Sequence, residues 1–102
     1  MHGVGFALME EIRPQAGAPV ATHLGDYKLP NIQDVPKLQT VLAAEPFGST
    51  PYLGRGIGEI SNCPTAGAIA NAVYDAVGIR LFELPLTAEK VLHAMKVREG
   101  AS

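Results

Sequence analysis

The sequence predicts an α+β fold in a single domain that spans residues 1–102. A segment near position 70 carries apolar residues at helical spacing, and shorter segments of the same kind lie near each end. Between them runs a stretch rich in Leu, Val and Thr, a composition typical of a β-strand. The chain is predicted to contain about three helices and a few short strands, separated by prolines and glycines.

The first predicted helix lies before Pro14. Its apolar positions at helical spacing are Gly5, Leu8, Met9 and Ile12. The helix is expected to stop before Pro14, because proline has no N–H to continue the hydrogen-bond ladder. Residues Gln15 to Val20 contain Gly17 and Pro19 and predict a turn or hairpin tip.

The middle of the chain combines irregular segments with one predicted strand. Leu29-Pro30 and Val35-Pro36 favour an extended, irregular course from Asp26 to Pro36. The run Leu38 to Ala44 is the predicted strand. Glu45-Pro46 closes it, and a loop at 47–51 leads into the glycine-rich segment.

A central helix between Pro64 and Gly78 has the strongest periodic pattern. Its apolar stripe is formed by Ala66, Ile69, Ala70, Val73 and Val77. Pro64 suits the first turn and Gly78 suits the position just past the last turn. Small residues at Gly67, Ala68 and Ala72 would let another element pack closely on the second face.

The C-terminal quarter predicts a short strand and a last helix. Ile79 to Phe82 is the strand, and Thr87 is placed to cap a helix through about Lys96. Leu86 and Val91 match a hydrophobic staple across that cap. The polar tail at 97–102 is expected to be frayed.

Composition excludes several function classes. A net charge of −2 with 18% charged residues gives no field that would recruit nucleic acid. No apolar run reaches the ~20 residues of a membrane helix, and no signal peptide is evident, so a cytoplasmic location is expected. One cysteine excludes an internal disulfide, and three separated histidines without paired cysteines give no metal-site pattern.

The segment Gly54-Arg55-Gly56-Ile57-Gly58-Glu59 is the candidate functional site. Its glycines would let backbone N–H groups approach a ligand, although a plain turn explains them as well. Glu59 could act as an acid or base, or could be an acid favoured by the dipole of the following helix. The loop fails as a dinucleotide-binding fingerprint, because the last glycine of that pattern would stand at Glu59.

Further segments on both sides of this loop form an ordered set with it. They are Gly3-Val4-Gly5-Phe6-Ala7-Leu8-Met9-Glu10-Glu11, Asp26-Tyr27-Lys28-Leu29-Pro30, Asp34-Val35-Pro36, the helix from Pro64 to Gly78, and Leu84-Pro85-Leu86-Thr87-Ala88-Glu89-Lys90-Val91-Leu92. The ordered set resembles the C-terminal part of the molybdopterin-binding subunit of the xanthine dehydrogenase and aldehyde oxidase family. The likeness runs from about Gly3 to about Lys96, so the resemblance implies a C-terminal piece of a much longer subunit.

The resemblance implies a role for every loop residue except Ile57. Glu59 takes the place of the general base that removes a proton during hydroxylation of an aldehyde or N-heterocycle, with water as the oxygen source. Gly54, Arg55, Gly56 and Gly58 take the place of residues at the molybdopterin (molybdenum cofactor). Arg55 stands where many members have lysine, which keeps the charge but changes its geometry. The chain itself supplies no metal ligand.

Partners also follow from the resemblance. The remainder of the molybdenum-binding subunit would complete the active site, and iron–sulfur and flavin subunits or domains would accept the electrons. The isolated chain is then expected to be inactive, to bind no cofactor alone, and to self-associate through exposed apolar surface.

Two alternatives remain open at this point. One is a free-standing, non-catalytic binding or assembly module that retains the fold and is indifferent to Glu59→Gln. The other is a phosphate-binding module that uses the glycine loop ahead of the helix.

Overall fold

Two helices, α1 (His2–Leu8) and α3 (Thr65–Val77), pack against each other at the centre of the chain. The computed structural model describes residues 1–42 and 50–100. The helices approach closely because α1 presents backbone here: a Cβ on Gly3 would lie 2.6 Å from the Cβ of Thr65. Among the described residues the buried hydrophobic side chains are Ala7, Ile79 and Leu86.

The first helix exists as predicted but lies earlier in the sequence. It begins at His2 and ends at Leu8, so the expectation that it continues until just before Pro14 is wrong, and Met9 and Ile12 lie outside it. Ile12 is 67% exposed, so it does not belong to the buried face. The predicted hairpin is confirmed: β1 (Pro14–Gln15) pairs antiparallel with β2 (Ala18–Pro19), and Pro14 lies opposite Pro19.

The hairpin turn explains the glycine at its tip. Ala16 and Gly17 both have positive φ, 50° and 82°. Two-residue hairpin turns of this kind match the twist of the flanking strands and favour glycine.

The segment from Asp26 to Pro36 is less extended than predicted. A single helical turn, α2, covers Leu24–Tyr27, and a 3₁₀ turn covers Ile32–Asp34. The 3₁₀ turn is closed by a capping box, in which Asn31 accepts from the Gln33 N–H and donates its own N–H to Asp34. The remainder of the segment is irregular, as expected.

The predicted strand at Leu38 to Ala44 is wrong for residues 38–42. These residues pair with no strand in the part of the chain that the structure describes. Val41 and Leu42 are exposed, so they have the composition of a strand without a neighbour to pack against. The end of this prediction and most of the following loop, residues 43–49, lie outside the described residues.

The central helix is confirmed in its C-terminal end and its half-buried face, and it starts one residue later than predicted, because Pro64 is the N-cap residue and not part of the first turn. Pro64 precedes the first residue of α3, and Gly78 ends it in the left-handed conformation with φ 69°. The five residues of the predicted apolar stripe are all half-buried, whereas Gly67, Ala68 and Ala72 on the second face are exposed.

The predicted strand at Ile79 to Phe82 is also wrong. The chain is irregular there and then crosses α1, where the Leu86 N–H donates to the Ala7 carbonyl at 2.6 Å. The Thr87 cap is confirmed, since its hydroxyl accepts from the Lys90 N–H at 3.2 Å.

The last helix, α4 (Ala88–Gly100), continues beyond the predicted end at Lys96. Arg98 explains part of this extension, because its guanidinium donates to the Val77 carbonyl at 2.8 Å and so ties α4 to the end of α3. The final two residues, 101 and 102, lie outside the described residues.

The fold buries little apolar surface for its size. Its radius of gyration is 18.0 Å, whereas about 13 Å is typical of a compact domain of about 100 residues. Large apolar side chains such as Ile32, Leu38, Val41 and Ile57 are exposed. Within residues 1–42 and 50–100, every helix falls short of the length and apolarity that a membrane span requires.

Candidate functional site

The glycine-rich loop lies between two 3₁₀ turns, Pro51–Leu53 and Ile60–Asn62. At its entrance, Tyr52 and Leu53 both have left-handed backbone, with φ of 57° and 56°. The Thr50 hydroxyl donates to the Gly54 carbonyl at 2.7 Å and closes this bend. The loop therefore leaves the bend with a defined direction, and all of its residues are exposed.

The three glycines of the loop are not explained by contacts within the described chain. None of Gly54, Gly56 and Gly58 has a positive φ. A Cβ added at Gly56 or Gly58 would meet nothing within 4 Å, and one at Gly54 would make an ordinary 3.5 Å contact with the Pro51 carbonyl. The space beside Gly56 and Gly58 is open to an approaching group, whereas the Gly54 N–H donates to the Pro51 carbonyl at 3.2 Å.

Arg55 and Ile57 separate the glycines, and both are exposed. Arg55 places a permanent positive charge on the loop. Ile57 is 79% exposed, which leaves an apolar side chain beside the charge.

Glu59 ends the loop at the start of the Ile60–Asn62 turn. Its backbone carbonyl accepts from the Asn62 N–H at 2.9 Å, but its side chain makes no capping hydrogen bond. The helix α3 begins only at Thr65 and has no acidic residue in its first turn. Glu59 therefore lies before the first turn of α3, and the alternative role, an acid near the start of that helix favoured by its dipole, stays a prediction.

The turn that carries Glu59 rests on the central pair of helices. The Ile60–Asn62 turn contacts both α1 and α3. The structure thus joins the glycine loop to the most firmly packed part of the described chain. Within residues 1–42 and 50–100, no group of three or more His, Cys, Asp or Glu residues is arranged to hold a metal ion.

Two known proteins with similar sequences are described as molybdenum-binding subunits. The chain is 38% identical over 94 residues to the aldehyde oxidoreductase molybdenum-binding subunit PaoC of Escherichia coli K12, a match that covers 88% of this chain. It is 35% identical over 91 residues, 87% of its length, to the xanthine dehydrogenase molybdenum-binding subunit of Escherichia coli O157:H7. The chain belongs to this family of molybdenum-binding subunits.

A further relative widens the range of activities found among similar proteins. The chain is 33% identical over 95 residues, 89% of its length, to the 6-hydroxypseudooxynicotine dehydrogenase complex subunit gamma of Paenarthrobacter nicotinovorans. No family model matches the chain. The chain spans only 12–13% of the length of these molybdenum-binding subunits and related proteins.

The structure also contains a cleft that sequence reasoning missed. This cleft has a volume of about 540 Å³ and is lined by residues of several elements, among them Arg13, Tyr27, Lys28 and Thr87. Partial burial, a hydrogen bond with Glu10 and the negative charge of Glu10 raise the pKa of the Tyr27 hydroxyl. The sequence offered no periodic signal for this cleft, because its lining residues come from segments far apart in the chain.

A second cleft of about 500 Å³ lies between the end of α3 and α4, beside Arg80, His93 and Arg98. Arg80 donates to the Asn71 side chain at 2.7 Å and lies 4.0 Å from the centre of the Tyr74 ring. These contacts hold Arg80 in a structural role. Neither cleft is lined by residues of the glycine loop.

Proposed function

We propose that this chain is part of the molybdenum-binding subunit of an oxidoreductase and that Glu59 is the general base of that enzyme. The reaction is hydroxylation of an aldehyde or an N-heterocycle with water as the oxygen source. The observation that carries the proposal is the exposed loop from Gly54 to Glu59, in which Gly56 and Gly58 have open space at their Cβ positions and the Glu59 side chain makes no capping hydrogen bond.

Two features of the loop support contact with a molybdenum cofactor. At Gly56 and Gly58 no side chain keeps a ligand away from the backbone, so their N–H groups are candidates to donate to anionic oxygen atoms. The Gly54 N–H already donates to the Pro51 carbonyl at 3.2 Å, so Gly54 would contribute through its missing side chain. Arg55 adds a positive charge next to them. When bound, the cofactor supplies the two-electron oxidation; the chain supplies contacts and a proton acceptor.

Glu59 contributes by accepting a proton from the attacking water-derived group. Its carboxylate is uncommitted to a cap, so it can turn toward a substrate side of the loop. Proton removal by a well-positioned base typically contributes about 10²–10⁴ in rate. The remainder of the acceleration would come from the cofactor and from residues of the longer subunit.

The partners proposed for the chain are the rest of the molybdenum-binding subunit and separate iron–sulfur and flavin subunits or domains. The low burial and the exposed apolar side chains support the first of these partners. The relative from Paenarthrobacter nicotinovorans is named as one subunit of a dehydrogenase complex, which supports a multi-subunit assembly.

The decisive experiment is co-expression of this chain with the preceding part of the subunit, followed by molybdenum analysis and assays of aldehyde and heterocycle oxidation. Glu59→Gln keeps the size of the side chain and removes its basicity. We expect this variant to retain molybdenum and to lose at least about 10²-fold in kcat. Glu83→Gln is the matched control, since Glu83 is exposed and lies outside the loop.

Two results would contradict the proposal. If Glu59→Gln retains full turnover, Glu59 is not the base. If the chain never assembles with the rest of the subunit, a free-standing module that keeps the fold without the chemistry becomes the better interpretation.

A further inference from the structure

We infer that Thr65 acts through its hydroxyl as a positioning residue for Glu59 and that Gly3 holds Thr65 in place. This inference rests on the proposed function, in which Glu59 is the general base. It adds two residues that lie outside the glycine loop and that sequence motifs do not connect with it.

The connection begins at the hydroxyl of Thr65. Its Oγ1 donates to the Ser61 carbonyl at 2.7 Å. Ser61 lies within the Ile60–Asn62 turn, and that turn is closed by the bond from the Asn62 N–H to the Glu59 carbonyl. The backbone of Glu59 is thus joined to the first residue of α3 by two successive hydrogen bonds.

Thr65 is itself held from the other side by α1. A Cβ at Gly3 would lie 2.6 Å from both the Cβ and the Cγ2 of Thr65 and 2.7 Å from its hydroxyl oxygen. Contacts this close leave no room for a side chain at position 3, so the backbone of α1 packs directly on Thr65. Gly3 is buried, so this contact lies inside the packed interface between α1 and α3.

On the other side of Glu59, Gly56 and Gly58 have open space where a Cβ would stand. The turn that follows Glu59 is bonded to its backbone carbonyl, and the Thr65 hydroxyl is bonded to that turn, so Thr65 helps to fix the backbone from which the Glu59 carboxylate extends. A shift of about 1 Å in a catalytic group can cost about 10²-fold in rate.

The test compares Thr65→Val with Thr65→Ser in the assembled molybdenum-containing enzyme. Valine keeps the shape and removes the hydroxyl, whereas serine keeps the hydroxyl. We expect Thr65→Val to lower kcat by about 10- to 100-fold with little change in KM, and Thr65→Ser to restore most of the turnover. Thr87→Val is the matched control, because Thr87 also uses its hydroxyl at a helix start but caps α4.

A double-variant comparison separates positioning from general stability. In the Glu59→Gln background, Thr65→Val should lower the residual kcat no further, because its effect passes through Glu59. A further loss of the same size as in the wild-type background would overturn the inference, as would wild-type kcat in the Thr65→Val single variant.

Assembly defects have a defined meaning as well. If Thr65→Val and Thr65→Ala both fail to assemble while Thr65→Ser assembles, the hydroxyl is needed for folding and the positioning role is rejected. The proposed function fails separately: there, Glu59→Gln itself would keep its activity, and the effect of Thr65 would be irrelevant to the base.

Discussion

Alanine at Gly56 and at Gly58 should separate the folding of the chain from its contact with a cofactor. Neither glycine has a positive φ, and neither has an atom within 4 Å of the position of an added Cβ. Alanine at such a site restricts the unfolded chain and typically stabilises by about 0.4–1 kcal/mol. For a chain of this length that corresponds to a rise of about 2–8 °C in the unfolding temperature.

The same two substitutions should weaken retention of the cofactor, although they stabilise the chain. If the loop backbone contacts the cofactor, a methyl group at position 56 or 58 would fill part of the space that the cofactor needs. We expect the assembled enzyme to retain less molybdenum in Gly56→Ala and Gly58→Ala than in the wild type. Thermal unfolding of the chain and metal analysis of the assembled subunit measure the two effects independently.

Gly78→Ala is the matched control for glycine substitution. Gly78 has φ 69° and ends α3, and a Cβ there would lie 2.8 Å from the Arg98 guanidinium. An L-residue in left-handed backbone costs about 1–2 kcal/mol, so this variant should be less stable. Unchanged molybdenum content in both loop variants would refute the contact, and a clear loss of chain stability in them would show that the loop packs within the chain.

Two further predictions concern the chain itself. Because partial burial and the Glu10 carboxylate raise the pKa of Tyr27 above 10.0, their stabilisation of the neutral phenol is complete below pH 10 and is lost as the pH rises through the folded-state pKa. Unfolding curves should therefore show a free energy that falls above pH 10 in the wild type and falls less in Tyr27→Phe; identical curves would contradict this. Exposed apolar side chains such as Val41, Leu42 and Ile57 predict self-association of the isolated chain. A sizing experiment should give an apparent mass that rises with concentration, and a monomer at all concentrations would contradict the prediction.

The sequence predicted best the elements whose signals are local. The central helix was predicted with its proline start, its glycine end and its half-buried stripe, since helical periodicity, Pro64 and Gly78 act within one stretch of chain. The Thr87 cap and the hairpin at Gly17 have the same local origin. The two strand predictions were wrong because a strand needs a neighbouring strand to pair with. The strand propensity of residues 38–42 and 79–82 does not supply such a neighbour.

The candidate site divides in the same way. The loop from Gly54 to Glu59 was identified from its residues and their order, and sequence similarity establishes the family. The roles of Glu59 and the loop glycines remain predictions. The contact of Gly3 with Thr65 had no signal in the sequence, because the two residues lie on separate helices that meet only in the folded chain.

By itself, the sequence determined the family and the central helix, and it singled out the candidate loop from Gly54 to Glu59, because each depends on residue type and on neighbours in the chain. Only the tertiary structure decided how Glu59 is supported, because the close approach of α1 to α3 arises from packing between residues far apart in sequence. It also decided that the loop glycines are open, since free space around a backbone is a property of the whole fold.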